Sequence, residues 1–141
     1  MNGYRHLDHP ADIAMLISAD SVEDLFIAGA EAWKESALES FIPESTFELH
    51  INLESISIEE LLVDFLSELN FNLYARKLVY SRVKMITIKK NTLYRAEAAV
   101  YFEDFSPARH RLKNEIKAIT FHQMNIEHKN NSYSTRIIFD I

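Results

Sequence analysis

The residues of this chain best suited to chemistry stand at its two ends. Asp140 and Ile141 are its last two residues. A period-2 pattern runs up to them, with Tyr133, Thr135, Ile137, Phe139 and Ile141 on one face of a strand. A chain that ends inside an apolar strand holds its terminal carboxylate in place, where most termini fray. The Asp140 side chain and the carboxyl end at Ile141 then make half of a hard-cation site. Asp12 offers another carboxylate. It lies between Ala11 and Ile13 at the start of an apolar strand, where aspartate is unfavourable. It reads either as a strand-edge aspartate in water or an Asx-type turn, or as a carboxylate awaiting a cation. Asp12, Asp140 and Ile141 together would form a partial shell for Ca²⁺ or Mg²⁺, completed by waters or a partner's oxygens.

The histidines offer less. The His6 and His9 spacing would suit zinc on a helix, but that segment is not helical, and on a strand the two face opposite sides. His122 shares a strand side with Ala118 and Met124, the setting of a satisfied core histidine. A small metal-dependent hydrolase using Asp12, His122 and Asp140 is an alternative, although no serine lies in a G-x-S-x-G turn.

Composition narrows the classes. Without cysteine there is no disulfide, thiolate zinc site or cysteine nucleophile. Acids outnumber bases 21 to 15, which argues against autonomous nucleic-acid binding and suits a cation or a basic protein partner. With two glycines there is no glycine-rich phosphate loop. No signal peptide and no membrane-length apolar run are expected, so the expected location is cytoplasmic. The length of 141 residues fits one domain over 1–141.

These residues need a frame. A short apolar strand is expected over Ala11–Ser18. Ser21, with Asp24 three residues on, opens a helix carrying Leu25, Phe26, Ala30 and Trp33 on one stripe and ending before Pro43. Phe47, Leu49, Ile51 and Leu53 alternate along a half-buried strand. Ser57 and Glu60 form a capping box for a stronger helix, with Leu61, Leu62, Phe65, Leu66, Leu69 and Leu73 facing inward. Two strands, 80–90 and 92–103, meet at Lys89-Lys90-Asn91, and the small Ala96 and Ala98 leave room for a helix. A polar loop, 104–113, carries Arg109, His110, Arg111 and Lys113. Two closing strands follow, joined by a turn at 128–132. The expected fold class is α+β, a mostly antiparallel sheet with two main helices packed against it.

Three segments then point to a family. LDHPADI at 7–13, ELLVDFLSEL at 60–69, and EIKAITFH at 115–122 with FDI at 139–141 together resemble the archease family from one end of the chain to the other. The departures are Pro10 in place of a usual threonine, Phe102-Glu103-Asp104 in place of a glycine-glutamate, and Asn70-Phe71-Asn72 in a stretch usually more apolar. The resemblance implies an accessory factor without catalysis of its own. Such factors activate the RtcB-type RNA ligase of tRNA splicing and RNA repair, promoting its guanylylation and repeated turnover. It implies a divalent cation, calcium first with magnesium or manganese as alternatives, at Asp12, Asp140 and the carboxyl end at Ile141. RNA is met only through the ligase. A chaperone-like module, recognising protein or RNA by strand pairing or through the basic 104–113 loop, is the remaining alternative.

Overall fold

Both helices start where the capping serines stand. The computed structural model describes residues 2–7, 12–121 and 124–141. Helix α1 (Val22–Ala37) follows Ser21, whose hydroxyl accepts from the Asp24 N–H, and α2 (Ile58–Arg76) follows Ser57, whose hydroxyl accepts from the Glu60 N–H. Each serine satisfies an amide that the first helical turn leaves without a partner. α2 closes on Lys77 in the left-handed region, with φ of 57°.

The strands are β1 (Gly3–Leu7), β2 (Asp12–Ala19), β3 (Phe47–Ser55), β4 (Leu78–Lys90), β5 (Tyr94–Asp104), β6 (Ala118–Thr120), β7 (Glu127–Lys129) and β8 (Ser132–Asp140). Every pairing is antiparallel. They form two sheets. One runs β1-β2-β8, with β6 and β7 both along the far side of β8; the other runs β3-β5-β4. The helix pair touches both sheets. Trp33 and Phe26 from α1, Phe65 from α2, Tyr80 and Phe102 from one sheet and Phe139 from the other meet in one fully buried core. At about 1.5–3 kcal/mol per large apolar side chain, this burial joins the two sheets.

Three details refine the expected frame. β1 is an additional strand, forming a hairpin with β2 from Gly3↔Ser18 to Leu7↔Ala14. The closing pair is not two full strands. Thr120 pairs with Ile138 and Glu127 with Ser134, so seven steps on one side face four on the other. Three residues are in excess, the ladder breaks into β6 and β7, and Met124 from the break enters the core. Similarly, β4 has 13 residues against 11 in β5. Its two register shifts, at Tyr80/Arg82 and Val83/Met85, absorb the difference as bulges.

The polar interruption at 70–72 has a packing reason. Asn70 accepts from the buried Trp33 indole N–H at 3.0 Å and donates to the Ile116 carbonyl at 2.9 Å. An apolar residue there would leave both groups without these partners, at about 1–3 kcal/mol for each.

Candidate metal centre

The β2–β8 ladder builds the site. Its register runs from Ala19↔Tyr133 to Asp12↔Asp140, so the aspartate near the chain's beginning faces the aspartate near its end. Directly opposed residues of an antiparallel pair project from the same face with Cβ atoms about 4.5–5.5 Å apart. Met15, Ile17 and Ala19 of β2 enter the helix-facing core, so Asp12 lies on the opposite face. Asp12 is half-buried, while Asp140 and Ile141 are exposed. Two rows inward on that face, Ala14 opposes Ile138, and both are buried. The carboxylate pair thus borders a dry row at the rim of the sheet.

β6 flanks the pair on its other side. Ala118 pairs with Asp140, and the Lys117 N–H donates to the Asp140 carbonyl at 2.7 Å. These bonds fix the main chain and leave the Asp140 side chain to solvent. Lys117 lies within the EIKAITFH segment, and the β8 register brings its main chain beside Asp140. Among the described residues the rim brings two carboxylates face to face, with Ile141 next in the chain after Asp140. Carboxylate oxygens suit a hard cation. Among the described residues no group of three or more His, Cys, Asp or Glu side chains gathers that could hold a metal ion, at this rim or elsewhere.

The other candidates do not converge on the rim. His6 lies exposed on β1. His9, Pro10 and His122 lie outside the described residues. In the 104–113 loop Arg111 and Lys113 are exposed, whereas Arg109 and His110 are engaged within the protein. His110 is buried, and its ring packs edge-on against Phe41 at 4.8 Å and against Phe105 at 5.6 Å. Its Nδ1 accepts from the Ser106 N–H at 2.8 Å and its Nε2 donates to buried Glu103 at 2.7 Å. Glu103 also accepts from the Arg109 guanidinium and, at 2.5 Å, from the Glu44 N–H. Burial pushes the Glu103 carboxyl up, but the Glu44 amide, Arg109 and His110 together hold it below the usual carboxylate range. Arg109 further donates to the Ile42 carbonyl at 2.6 Å. No periodicity in the sequence marks this network, which fastens the loop to the segment after α1.

A cavity of about 540 Å³ lies along α1 between Tyr4, Glu31, Lys34, Glu35 and Lys113, and is lined by neither aspartate of the pair. Lys34 is committed there, donating to the Ser81 carbonyl at 2.9 Å and pairing with Glu31 at 3.3 Å. Tyr80 donates to Glu31 at 2.7 Å, and burial followed by the Glu31 charge pushes its phenol well up.

Two antiparallel sheets and two helices define a small α+β protein, with Asp12 and Asp140 facing each other at one sheet rim. Residues 4–141 match the Archease protein family (MTH1598/TM1083), and the chain belongs to that family. It is 34% identical over 127 residues to the protein archease of Pyrococcus furiosus, covering 90% of this chain and 89% of that one. The solution structure of Methanobacterium thermoautotrophicum protein 1598 superposes with a TM-score of 0.84 at 26% identity, covering all of both chains. The fold is shared with a Thermotoga maritima archease described as a possible chaperone, at a TM-score of 0.62 and 19% identity over 97% of this chain and 96% of that one. No helix among the described residues is long and apolar enough to cross a membrane.

Proposed function

We propose that the chain is a metal-binding accessory factor that activates an RtcB-type RNA ligase, promoting guanylylation and repeated turnover in tRNA splicing and RNA repair. Family membership and the facing positions of Asp12 and Asp140 support this reading. In it the two aspartates and the carboxyl end at Ile141 hold a divalent cation, calcium or else magnesium or manganese. That ion supplies charge neutralisation at the ligase's nucleotide phosphates. The chain's own part is to hold and orient. β8, bonded on both sides, fixes Asp140; the β2 ladder sets Asp12 opposite; Lys117 anchors the strand end by its main chain. Two carboxylates and one main-chain carboxyl leave coordination positions for a partner's oxygens, as a transient, non-catalytic factor requires. The net charge of −6 favours a basic mouth on the partner and argues for meeting RNA through the ligase.

A multiple-turnover ligation assay with limiting cognate ligase, GTP and manganese tests the reading. Sub-stoichiometric addition of this chain raises the number of turnovers per ligase and the fraction guanylylated. If both quantities stay the same at every ratio, the chain is not an activator of that ligase. Chelator-sensitive ester or phosphoester turnover by the isolated chain would favour the hydrolase instead.

A further inference from the structure

The β3-β5-β4 sheet ends on two edges that differ. The β4 edge is closed to a further strand. Two bulges, at Tyr80/Arg82 and Val83/Met85, bend it. The Lys34 ammonium donates to its Ser81 carbonyl at 2.9 Å, and the Glu23 carboxylate accepts from its Ile88 N–H at 3.3 Å. Bulges and covering groups are how natural sheets protect an edge. β3 has neither. Its nine residues run against β5 without a register shift, from Phe47↔Phe102 to Ser55↔Tyr94. It contains no proline and no lysine. Among the described residues, no backbone group of β3 bonds to an element other than β5.

An open row of N–H and C=O groups selects an extended backbone as its occupant. The side chains narrow the choice. On the core side of β3, Ile51 is buried, while Phe47, Leu49 and Leu53 are only half-buried and keep apolar surface in solvent. On the other face stand Glu48, His50, Asn52 and Glu54. A strand that covers this edge needs the same alternation, apolar toward the helices and polar away from them. A second copy of β3, antiparallel across a two-fold axis, supplies it, because opposed residues project from the same face.

Size and charge along the strand fix where that axis falls. An axis at Ile51 sets Phe47 against Ser55 and places Glu48 directly opposite Glu54 in both halves, and like charges so placed repel. An axis at Asn52 sets Leu49 against Ser55 and leaves Phe47 beyond the end of the other copy's β3. An axis at His50 sets Phe47 against Leu53 and Leu49 against Ile51, once in each half, with Glu48 against Asn52 on the solvent face. That register gives every half-buried apolar side chain of β3 an apolar neighbour and opposes no like charges. We propose that β3 is a homodimerisation edge, two copies pairing antiparallel about an axis at His50 so that two three-stranded sheets become one of six strands. Asp12 and Asp140 lie in the other sheet, and the proposal does not rest on the metal reading.

Sedimentation equilibrium of the full chain tests it. The average mass rises with concentration from that of one chain, 16.4 kDa, toward that of two. His50→Lys, a change at an exposed position, sets two lysines against each other on the axis and weakens dimerisation by about tenfold or more at unchanged circular dichroism. The chain has no cysteine, so single-cysteine variants report the register. His50→Cys gives a disulfide-linked dimer with diamide as oxidant. Directly opposed residues lie about 4.5–5.5 Å apart, within the roughly 4.4–6.8 Å between Cα atoms that a disulfide spans. Glu54→Cys, four residues from the axis, does not cross-link. The proposal is overturned if the mass stays that of one chain up to millimolar concentration, or if His50→Lys dimerises as the wild type does. It is also overturned if Glu54→Cys cross-links as readily as His50→Cys.

Discussion

Asp12 and Asp140 face each other across the β2–β8 ladder. If a divalent ion shares them, the consequence is measurable without the ligase. Binding to the folded state alone stabilises by mass action, about 2.7 kcal/mol at a hundredfold excess over the dissociation constant. Calcium should therefore raise the melting temperature of the wild type and leave Asp12→Asn unmoved. The same variant should keep its circular dichroism and lose ligase activation by roughly an order of magnitude or more, since it removes a ligand and not a core contact. Glu103 gives a second prediction at this scale. Removing it leaves Arg109 and His110 without their buried acceptor, so Glu103→Ala should destabilise by about 3 kcal/mol in urea unfolding. Its carboxyl titrates below the ordinary value of 4.5, so its contribution is complete above that pH and fades as pH falls through the folded value. Glu103→Gln should flatten the acid limb of the stability profile, and an unchanged limb would contradict this assignment. The aspartates were legible because an acidic residue in an apolar strand is conspicuous on its own. Glu103 and His110 were not, because their burial depends on Phe41 and Phe105, distant in sequence or across the loop, packing against the His110 ring.

At the scale of elements, the helices were readable from local signals: a serine cap, acidic first turns and an apolar stripe. Their fit was not. A Cβ on Gly29 would lie 3.3 Å from a Leu62 methyl and 3.5 Å from an Ile17 methyl, so this residue sets the approach of α1 to both α2 and β2. Gly29→Val should overpack that crossing and cost about 1–3 kcal/mol, read as a lower urea midpoint at unchanged slope. The β7–β8 turn places Asn130 and Asn131 at φ of 52° and 59°, the conformation that favours Asn-Gly. Asn131→Gly should raise stability by about 0.5 kcal/mol in the same assay. The break between β6 and β7 was hidden from the sequence because it arises from counting residues against β8, which needs the register. β1 was hidden for a different reason: only five residues long, with Arg5 and His6 exposed, it has little apolar alternation to recognise.

Across the whole molecule, one strand joins the features that matter. β8 lies between β2 and the β6/β7 pair, carries Asp140 at one end and Tyr133 at the other, and buries Ile137 and Phe139 against the helices between them. The expected α+β class and antiparallel pairing are seen, divided between two sheets that the helix pair joins. The division follows from the two faces each helix buries, one toward each sheet. In the proposed function, activation of the ligase requires the rim at Asp12 and Asp140 to hold an ion. Isothermal titration of calcium into the metal-free chain tests this most directly. One calcium should bind per chain, and Asp12→Asn and Asp140→Asn should each abolish the heat while remaining folded. A wild-type chain that takes up no divalent ion, or variants that bind as it does, would contradict a metal-carrying role.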